Sequence, residues 1–529
     1  MRTQRRVLTS LVFIVVIARA AAAAGATCDS LKSVSFPRTS ISSAAIVAAG
    51  TFVPPRTPDA PPGGLPRATS MPEICRVQGV LTPGPDSHIE FEVWLPTAGW
   101  NGKYLGTGNG GFAGEINYFD MIRSVGNGYA TSSTDTGHQA NAIDARWALG
   151  HLEKVADYGH RAIHETAVTA KALIDAFYGT APRFSYFNSC SNGGRQALME
   201  AQRYPDDYNG IIAAAPALSI TRALLAFEWN QYTALVDPAG HIPARKIPAI
   251  ATAVVEACDA RDGLKDGVVD NPPACRFKAA SLRCSGAETD SCLTDPQVAA
   301  LQKVYDGPRT SKGRQVYPGF PPGGELGPGG WALWITGERP GTSLQSLFSA
   351  QGAPNLVHQD AAYSVKSFDV DRAASLLDGA VARLIDADNP DLTAFKRRGG
   401  KLIIYHGWSD PALSASATID YYASVSRRMG AKETRDFARL YLVPGMQHCN
   451  GGPGATQFGT WHVKGADPRT SVSAALERWV EDGVAPVPIV ATRPAGPARS
   501  RPLCAYPQIA KYTGRGSTDD AANFECRNP

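Results

Sequence analysis

Residues 184–204, FSYFNSCSNGGRQALMEAQRY, run a strand-like segment straight into a helical pattern. Only the knot Ser189–Cys190–Ser191–Asn192–Gly193 separates the two. At such a turn the strand and helix backbones nearly touch, so both flanks must be small. Helix onset directly after Ser191 also aims backbone N–H groups at whatever chemistry stands there. Cys190 and Ser191 sit side by side in the knot, and either residue type can act as a nucleophile.

The flanking sequence extends the pattern. SHIEFEVWLP alternates like a strand, KYLGTGNGGFAG ends a strand in glycines, and GYATSSTDTGH reads as a strand followed by a polar loop. DYGHRAIHETAVTAKALIDAFYG has helical periodicity and stops at Gly179, a favoured helix C-terminal residue. After the knot comes the apolar run YNGIIAAAPA. Strands alternating with helices predict an α/β fold with a mostly parallel sheet. The alternation lapses over residues 219–390, which hold four cysteines, an Asp-rich loop and Gly/Pro-rich pieces such as YPGFPPGGELGPGG. It resumes at KLIIYHGWSDPALS and FARLYLVPGMQHCNGGPG. At 529 residues the chain exceeds what one growing core sustains. The expected organisation is a leader over 1–26, a catalytic domain over 27–218 and 391–529, and a lid inserted at 219–390 near the C-terminal edge of the sheet.

The leader reading rests on Arg2, Arg5 and Arg6, a short apolar stretch at 11–18, and small residues around Ala22–Ala26. Arg19 shortens the apolar stretch, which keeps a retained anchor as the alternative to export. No second stretch approaches the roughly 20 apolar residues that span a bilayer. The segment carries four Arg and no acid, and its removal leaves 48 basic residues against 48 acidic ones. Nothing in that balance calls for nucleic acid as a partner. Ten cysteines, an even number in an exported chain, favour disulfides over metal thiolates. Short spacings suggest Cys258–Cys275, Cys284–Cys292 and Cys504–Cys526, leaving Cys28, Cys75, Cys190 and Cys449.

A nucleophile on a strand-to-helix turn is the elbow of α/β-hydrolases, usually G-x-S-x-G. Here Ser189 stands for the first Gly. In that fold the acid and the base follow the nucleophile in the order Ser, Asp, His. KLIIYHG leads to Asp410 and RLYLVPG leads to His448, both just past a strand end. The alternatives are weaker: His406 lies at the end of the strand itself, and His160 and His164 share one helix face and read better as surface or packing residues. The turn GTGNGG would supply a second oxyanion donor, Gly110 or Gly111, beside the N–H of Asn192. An ordinary flexible turn would look the same. Cys190 precedes Ser191 and Cys449 follows His448. If Ser191 and His448 come within hydrogen-bonding reach, these cysteines come within disulfide reach and could staple the base to the nucleophile.

With these residues in view, the chain resembles the tannase/feruloyl esterase family, carried by CSNGGRQ at 190–196, HGWSDP at 406–411 and GMQHC at 445–449. The resemblance spans Cys28 to Cys526. It implies a CS-D-HC site and five bridges: 28–75, 190–449, 258–275, 284–292 and 504–526. A further loop, CDARDGLKDGVVDNPPAC, holds Asp259, Asp262 and Asp266 among glycines. Three carboxylates there suit either a hard cation or a solvated acidic turn. The resemblance implies structural Ca2+, with main-chain oxygens from Leu264 and Val268. Asp270 occupies the twelfth position, where an EF-hand has Glu.

The combined expectation is an exported or periplasmic serine carboxylesterase without a redox cofactor. Its triad would be Ser191, His448 and Asp410. The resemblance implies aromatic acyl esters, feruloyl or other hydroxycinnamoyl groups on polysaccharides, or galloyl esters, with a terephthalate mono-ester as a third option. Tyr317, Phe320, Trp331, Trp334 and Phe348 are the aromatic side chains the lid offers, none assigned to substrate, and Trp408 reads as packing. The rival readings are a Cys190-dependent hydrolase and a non-catalytic, calcium-stabilised binding protein on a hydrolase scaffold.

Overall fold

The computed structural model describes residues 25–59, 67–493 and 496–529. The leader assigned to residues 1–26 lies almost wholly outside them. Nine strands form one sheet: β1 Thr39–Val47, β2 Ile74–Leu81, β3 Ile89–Pro96, β4 Lys103–Gly106, β5 Ala130–Thr134, β6 Phe184–Cys190, β7 Gly210–Ala214, β8 Lys401–Gly407 and β9 Ala438–Val443. Their spatial order is β1-β2-β3-β5-β4-β6-β7-β8-β9. The first pairings, through β3–β5, are antiparallel. From β5 to β9 every pairing is parallel.

The parallel half is built from short continuous apolar runs because helices cover both of its faces. Side chains alternate between the two layers. Phe187, Ile211, Ala213, Leu402 and Ile404 pack with residues of the helices Ala162–Tyr178, Asn192–Arg203 and Ala415–Met429. Tyr186, Ile212, Ala214, Ile403 and Tyr405 pack the other way, against Leu476 and Trp479 of the helix Val472–Asp482. The helix ending at Tyr178 is closed by Gly179 at φ 70°, the left-handed turn that favours glycine at this position.

The chain leaves the sheet after β7 and returns at β8, so residues 219–390 form part of one crossover. This excursion has an apolar cluster of its own, including Ile250, Val254, Leu301, Phe320 and Trp331. A second cluster seats it on the body, where Leu224, Phe227, Tyr317 and Leu356 meet Phe112, Tyr158 and Leu413. After the last helix the chain forms two small ribbons, Ile489–Thr492 with Ser500–Leu503 and Ile509–Tyr512 with Phe524–Arg527. Disulfides join Cys28–Cys75, Cys190–Cys449, Cys258–Cys275, Cys284–Cys292 and Cys504–Cys526, and none of the ten cysteines is free. No helix among the described residues is long and apolar enough to cross a membrane.

Candidate active site

Because β4, β6, β8 and β9 run parallel, their C-terminal ends share one edge of the sheet, and the candidate residues follow those ends. Ser191 comes first, directly after β6, with φ 63° and ψ −123°. That left-handed conformation strains a residue bearing a Cβ, and it persists only where the surroundings enforce it. Ser191 N–H donates to Ala214 O at 3.0 Å, and its carbonyl accepts from the N–H groups of Arg195 and Ala217, both at 3.1 Å. The small flanks have a steric cause. A Cβ on Gly194 would collide with Ala214 O, and one on Gly193 would collide with Ser189 Oγ. On the other side, a Cβ on Gly108 would stand 2.7 Å from the same hydroxyl. Ser189 therefore fits where the elbow pattern has glycine, because the two residues facing it are themselves glycines.

His448 Nε2 lies 3.0 Å from Ser191 Oγ, and His448 Nδ1 lies 2.8 Å from Asp410 Oδ2. With the ring proton on Nδ1, the imidazole donates to the carboxylate and leaves Nε2 to accept from the serine hydroxyl. Asp410 is 2 % exposed. Its Oδ1 accepts from the N–H groups of Ala412 and Leu413 at 2.8 and 3.0 Å. Burial works against its charge, but His448 and His406 outweigh that and hold the carboxyl well below the usual carboxylate range. His406, set aside in the sequence, is fully buried with Nε2 3.2 Å from Asp410 Oδ2 and Nδ1 2.8 Å from Thr418 Oγ1. It props the acid and does not reach the serine side of His448. His160 and His164 pack against Tyr204 on the far helix layer, away from this edge.

The candidate oxyanion donors can be narrowed. Gly111 lines the cavity at Ser191 together with Asn192, whereas Gly110 faces hollows on the other side of its turn. Phe112 N–H is committed to Ala142 O at 2.7 Å and Asn109 N–H to Gln196 Oε1 at 3.0 Å. Among the described residues the N–H groups of Gly111 and Asn192 have no backbone acceptor. Two residues that sequence reasoning passed over hold this geometry. Gln196 returns a bond from Nε2 to Asn109 Oδ1 at 3.0 Å, clamping the glycine turn to the elbow helix. Arg195 is fully buried, donates to Asn192 Oδ1 at 2.7 Å, and spreads its other donors over the carbonyls of Tyr158, Gly159 and Ile385. A guanidinium has donors enough to satisfy all four acceptors.

The cavity over Ser191 contains about 430 Å³ of empty space, its open mouth included. Apart from Ser191, Asn192, His448 and the Trp334 indole N–H, its lining offers no polar side-chain group. Of the lid aromatics, Trp334 and Phe348 reach it, nearly parallel at 6.2 Å, and Trp334 meets the His448 ring edge-on at 5.1 Å. Tyr317, Phe320 and Trp331 are buried in apolar clusters instead, and Trp408 is packed at 6 % exposure. One wall was missed. Ile220, Ala223, Leu224 and Phe227 project from the helix Ile220–Val236 at the i, i+3, i+4, i+7 spacing of a single face. That periodicity was present in the sequence, inside the stretch where the alternation lapses.

Cys190 and Cys449 are bonded to each other with Cα atoms 6.0 Å apart, directly beside Ser191 and His448 in the chain. A bridged sulfur has no thiolate to offer, so the Cys190-dependent mechanism falls.

The acidic loop folds onto its own amides. Asp259 accepts from Asp266 N–H and Gly267 N–H at 3.2 and 2.9 Å, and Asp262 from Leu264 N–H and Asp270 N–H at 2.9 and 3.2 Å. Asp266 accepts from Val268 N–H at 3.2 Å and pairs with Arg499 and Arg501 at 3.1 and 2.5 Å. Burial, then the neighbouring carboxylates Asp266 and Asp259, push Asp262 up to about 6. The donor chemistry, carboxylates with nearby carbonyls, suits a hard cation, and like-charge crowding is what a cation would relieve. The side chains as placed do not converge. Among the described residues no group of three or more His, Cys, Asp or Glu stands close enough together to hold a metal.

Comparison with known proteins agrees with this arrangement. The sequence pattern of the family described as tannase and feruloyl esterase matches residues 75–527. An esterase of Xanthomonas campestris pv. campestris is 41% identical over 537 residues, covering 96% of this chain and 92% of that one. The mono(2-hydroxyethyl) terephthalate hydrolase of Piscinibacter sakaiensis is 33% identical over 536 residues, covering 87% and 86%. The crystal structure of feruloyl esterase B from Aspergillus oryzae superimposes with a TM-score of 0.85 at 29% identity, covering 94% of this chain and 99% of that one. The chain belongs to the tannase and feruloyl esterase family and is a carboxylic ester hydrolase.

Proposed function

We propose that the protein is an exported serine esterase that hydrolyses aromatic acyl esters, with hydroxycinnamoyl groups of the feruloyl type as the preferred acyl part. Ser191 Oγ attacks the ester carbonyl while His448 Nε2 takes its proton, and Asp410 stabilises the imidazolium that forms. The N–H groups of Asn192 and Gly111 receive the developing oxyanion. His448 then returns the proton to the departing alcohol, and water repeats the cycle on the acyl-enzyme.

The observation that carries this reading is the hydrogen-bonded Ser191–His448–Asp410 chain at an apolar cavity walled by Trp334, Phe348 and Phe227. An intact, strained nucleophile also weighs against a binding protein without catalysis. Export is supported by five disulfides, which suit an oxidising compartment. The identity to a terephthalate mono-ester hydrolase favours a second reading. The cavity argues against it, since neither Lys nor Arg lines it to pair with the free carboxylate of such a substrate. Galloyl esters carry three ring hydroxyls, and the cavity wall offers them few partners. On a panel at equal concentration, methyl ferulate is expected to be hydrolysed fastest, methyl gallate more slowly and a terephthalate mono-ester least. A reversal that puts the terephthalate ester first would move the assignment to the second reading.

Structural Ca2+ is proposed for the loop, held by Asp259, Asp262 and Asp266 with the carbonyls of Leu264 and Val268. It takes no part in the chemistry, because neither the nucleophile nor the base belongs to this loop. Chelation is expected to lower Tm by several degrees, with one Ca2+ per chain recovered by elemental analysis of untreated protein. Protein that contains no calcium and has the same Tm with and without chelator would contradict this proposal.

A further inference from the structure

The Gly/Pro-rich piece YPGFPPGGELGPGG, residues 317–330, lines no part of the cavity over Ser191. It lies instead across the two loops that carry Asp410 and His448. Those loops meet directly, since Trp408 N–H donates to Val443 O and Ser409 N–H to Met446 O, both at 3.0 Å. The segment from the insertion crosses this seam. Ser409 Oγ donates to Gly323 O and Ser414 Oγ to Gly319 O, both at 2.7 Å. Gln447 Nε2 donates to Leu326 O at 2.9 Å. Ser409 precedes Asp410 and Gln447 precedes His448, and both side chains are buried.

The approach is close enough to require glycine. A Cβ on Gly324 would stand 2.6 Å from Ser409 O, and one on Gly329 would stand 2.8 Å from Gln447 Oε1. The segment is anchored in turn to the insertion. Buried Glu325 accepts from Gly323 N–H at 3.0 Å and from the hydroxyl of Tyr305, on the helix Asp295–Asp306, at 2.7 Å. Glu325 O accepts from the N–H of Trp331 at 3.0 Å, and Trp331 belongs to the insertion's own apolar cluster. Hydrogen bonds are directional where apolar packing is not, so bonds to both loops fix their placement as well as their burial.

We propose that segment 317–330 braces the triad. Through Ser409 and Gln447, positioning residues beside Asp410 and His448, the insertion sets the spacing of the acid and the base. It therefore governs the rate of the chemical step as well as enclosing the cavity. A shift of either loop lengthens the 2.8 Å His448–Asp410 contact or the 3.0 Å His448–Ser191 contact, which matter most in the transition state. This rests on the esterase reading above.

The test is steady-state kinetics on methyl ferulate in wild type, Ser409→Ala, Gln447→Met and Thr233→Val. Each kcat is expressed per site titrated with an organophosphate ester, so unfolded protein drops out. The first two variants each remove one bond of the brace. The third removes a bond inside the insertion, from Lys303 Nζ to Thr233 Oγ1 at 3.0 Å. Ser409→Ala and Gln447→Met are each expected to lower kcat about tenfold with KM within about twofold of wild type, and Thr233→Val to leave both constants within about twofold. Wild-type kcat in both brace variants overturns the proposal and leaves the esterase reading intact. An equal loss in Thr233→Val also overturns it, by tracing the effect to the stability of the insertion. A wild type that turns over no ester overturns the esterase reading and the brace with it.

Discussion

Ser191→Ala is expected to lower kcat on methyl ferulate by about 10⁴- to 10⁶-fold, with unfolding by heat or denaturant little changed. The size of the loss follows from the geometry. The hydroxyl is the one group placed to form the acyl-enzyme, 3.0 Å from His448 Nε2, and alanine leaves every wall of the cavity in place. What remains is transition-state binding by the oxyanion donors alone. A companion variant separates chemistry from strain. Ser191→Gly loses the same activity, yet glycine takes φ 63° at no steric cost, so it is expected to gain about 1 kcal/mol of stability. Steady-state kinetics and thermal melts on the two variants check both statements. Retention of more than a few per cent of wild-type kcat in either would remove Ser191 from its role.

Loss of the Cys190–Cys449 bridge is the second large effect. Cys449, one end of the clamp, sits at φ 64°, and Ser191, the neighbour of its other end Cys190, sits at φ 63°. Without the bridge no covalent bond ties the His448 loop to the elbow, and hydrogen bonds and packing remain. A displacement of the base by about 1 Å costs on the order of 10²-fold in rate. The double variant C190S/C449S is therefore expected to lose about 10²-fold in kcat with little change in KM, because Phe227, Trp334 and Phe348 do not hang on the bridge. Native treatment with dithiothreitol is expected to have the same result, although the proposed mechanism gives no cysteine a chemical role. Full kcat in protein whose free thiols show this bridge open would make the staple irrelevant to catalysis.

The candidate site was legible to the extent that it depends on local pattern. Apolar runs ending in glycine mark the strand ends before Asp410 and His448, and the small-residue knot marks the one before Ser191, in the chain order of an α/β-hydrolase. What lets Ser189 stand for the first glycine is not local, because one of the two glycines facing it, Gly108, lies in a distant segment. Choosing between Gly110 and Gly111 needs the direction of each N–H, which depends on Ala142 claiming Phe112 N–H from a distant loop. Nothing local in the sequence marks Arg195 as buried, since the carbonyls of Gly159 and Ile385 that accept from it are far away in sequence. His406 could not be told from a packing histidine, since its contact with Asp410 depends on how the loop after β8 folds back. The helix Ile220–Val236 had the right periodicity, yet an apolar face alone does not say whether it meets a core or a substrate.

The most direct test is to trap the nucleophile. The wild type is treated with an organophosphate ester until inactive, and its mass and peptide map are then recorded. One adduct per chain is expected, on the peptide containing Ser191, with none formed by Ser191→Ala under the same conditions. Inactivation with the adduct on another residue, or undiminished turnover by a chain fully modified at Ser191, would contradict the account.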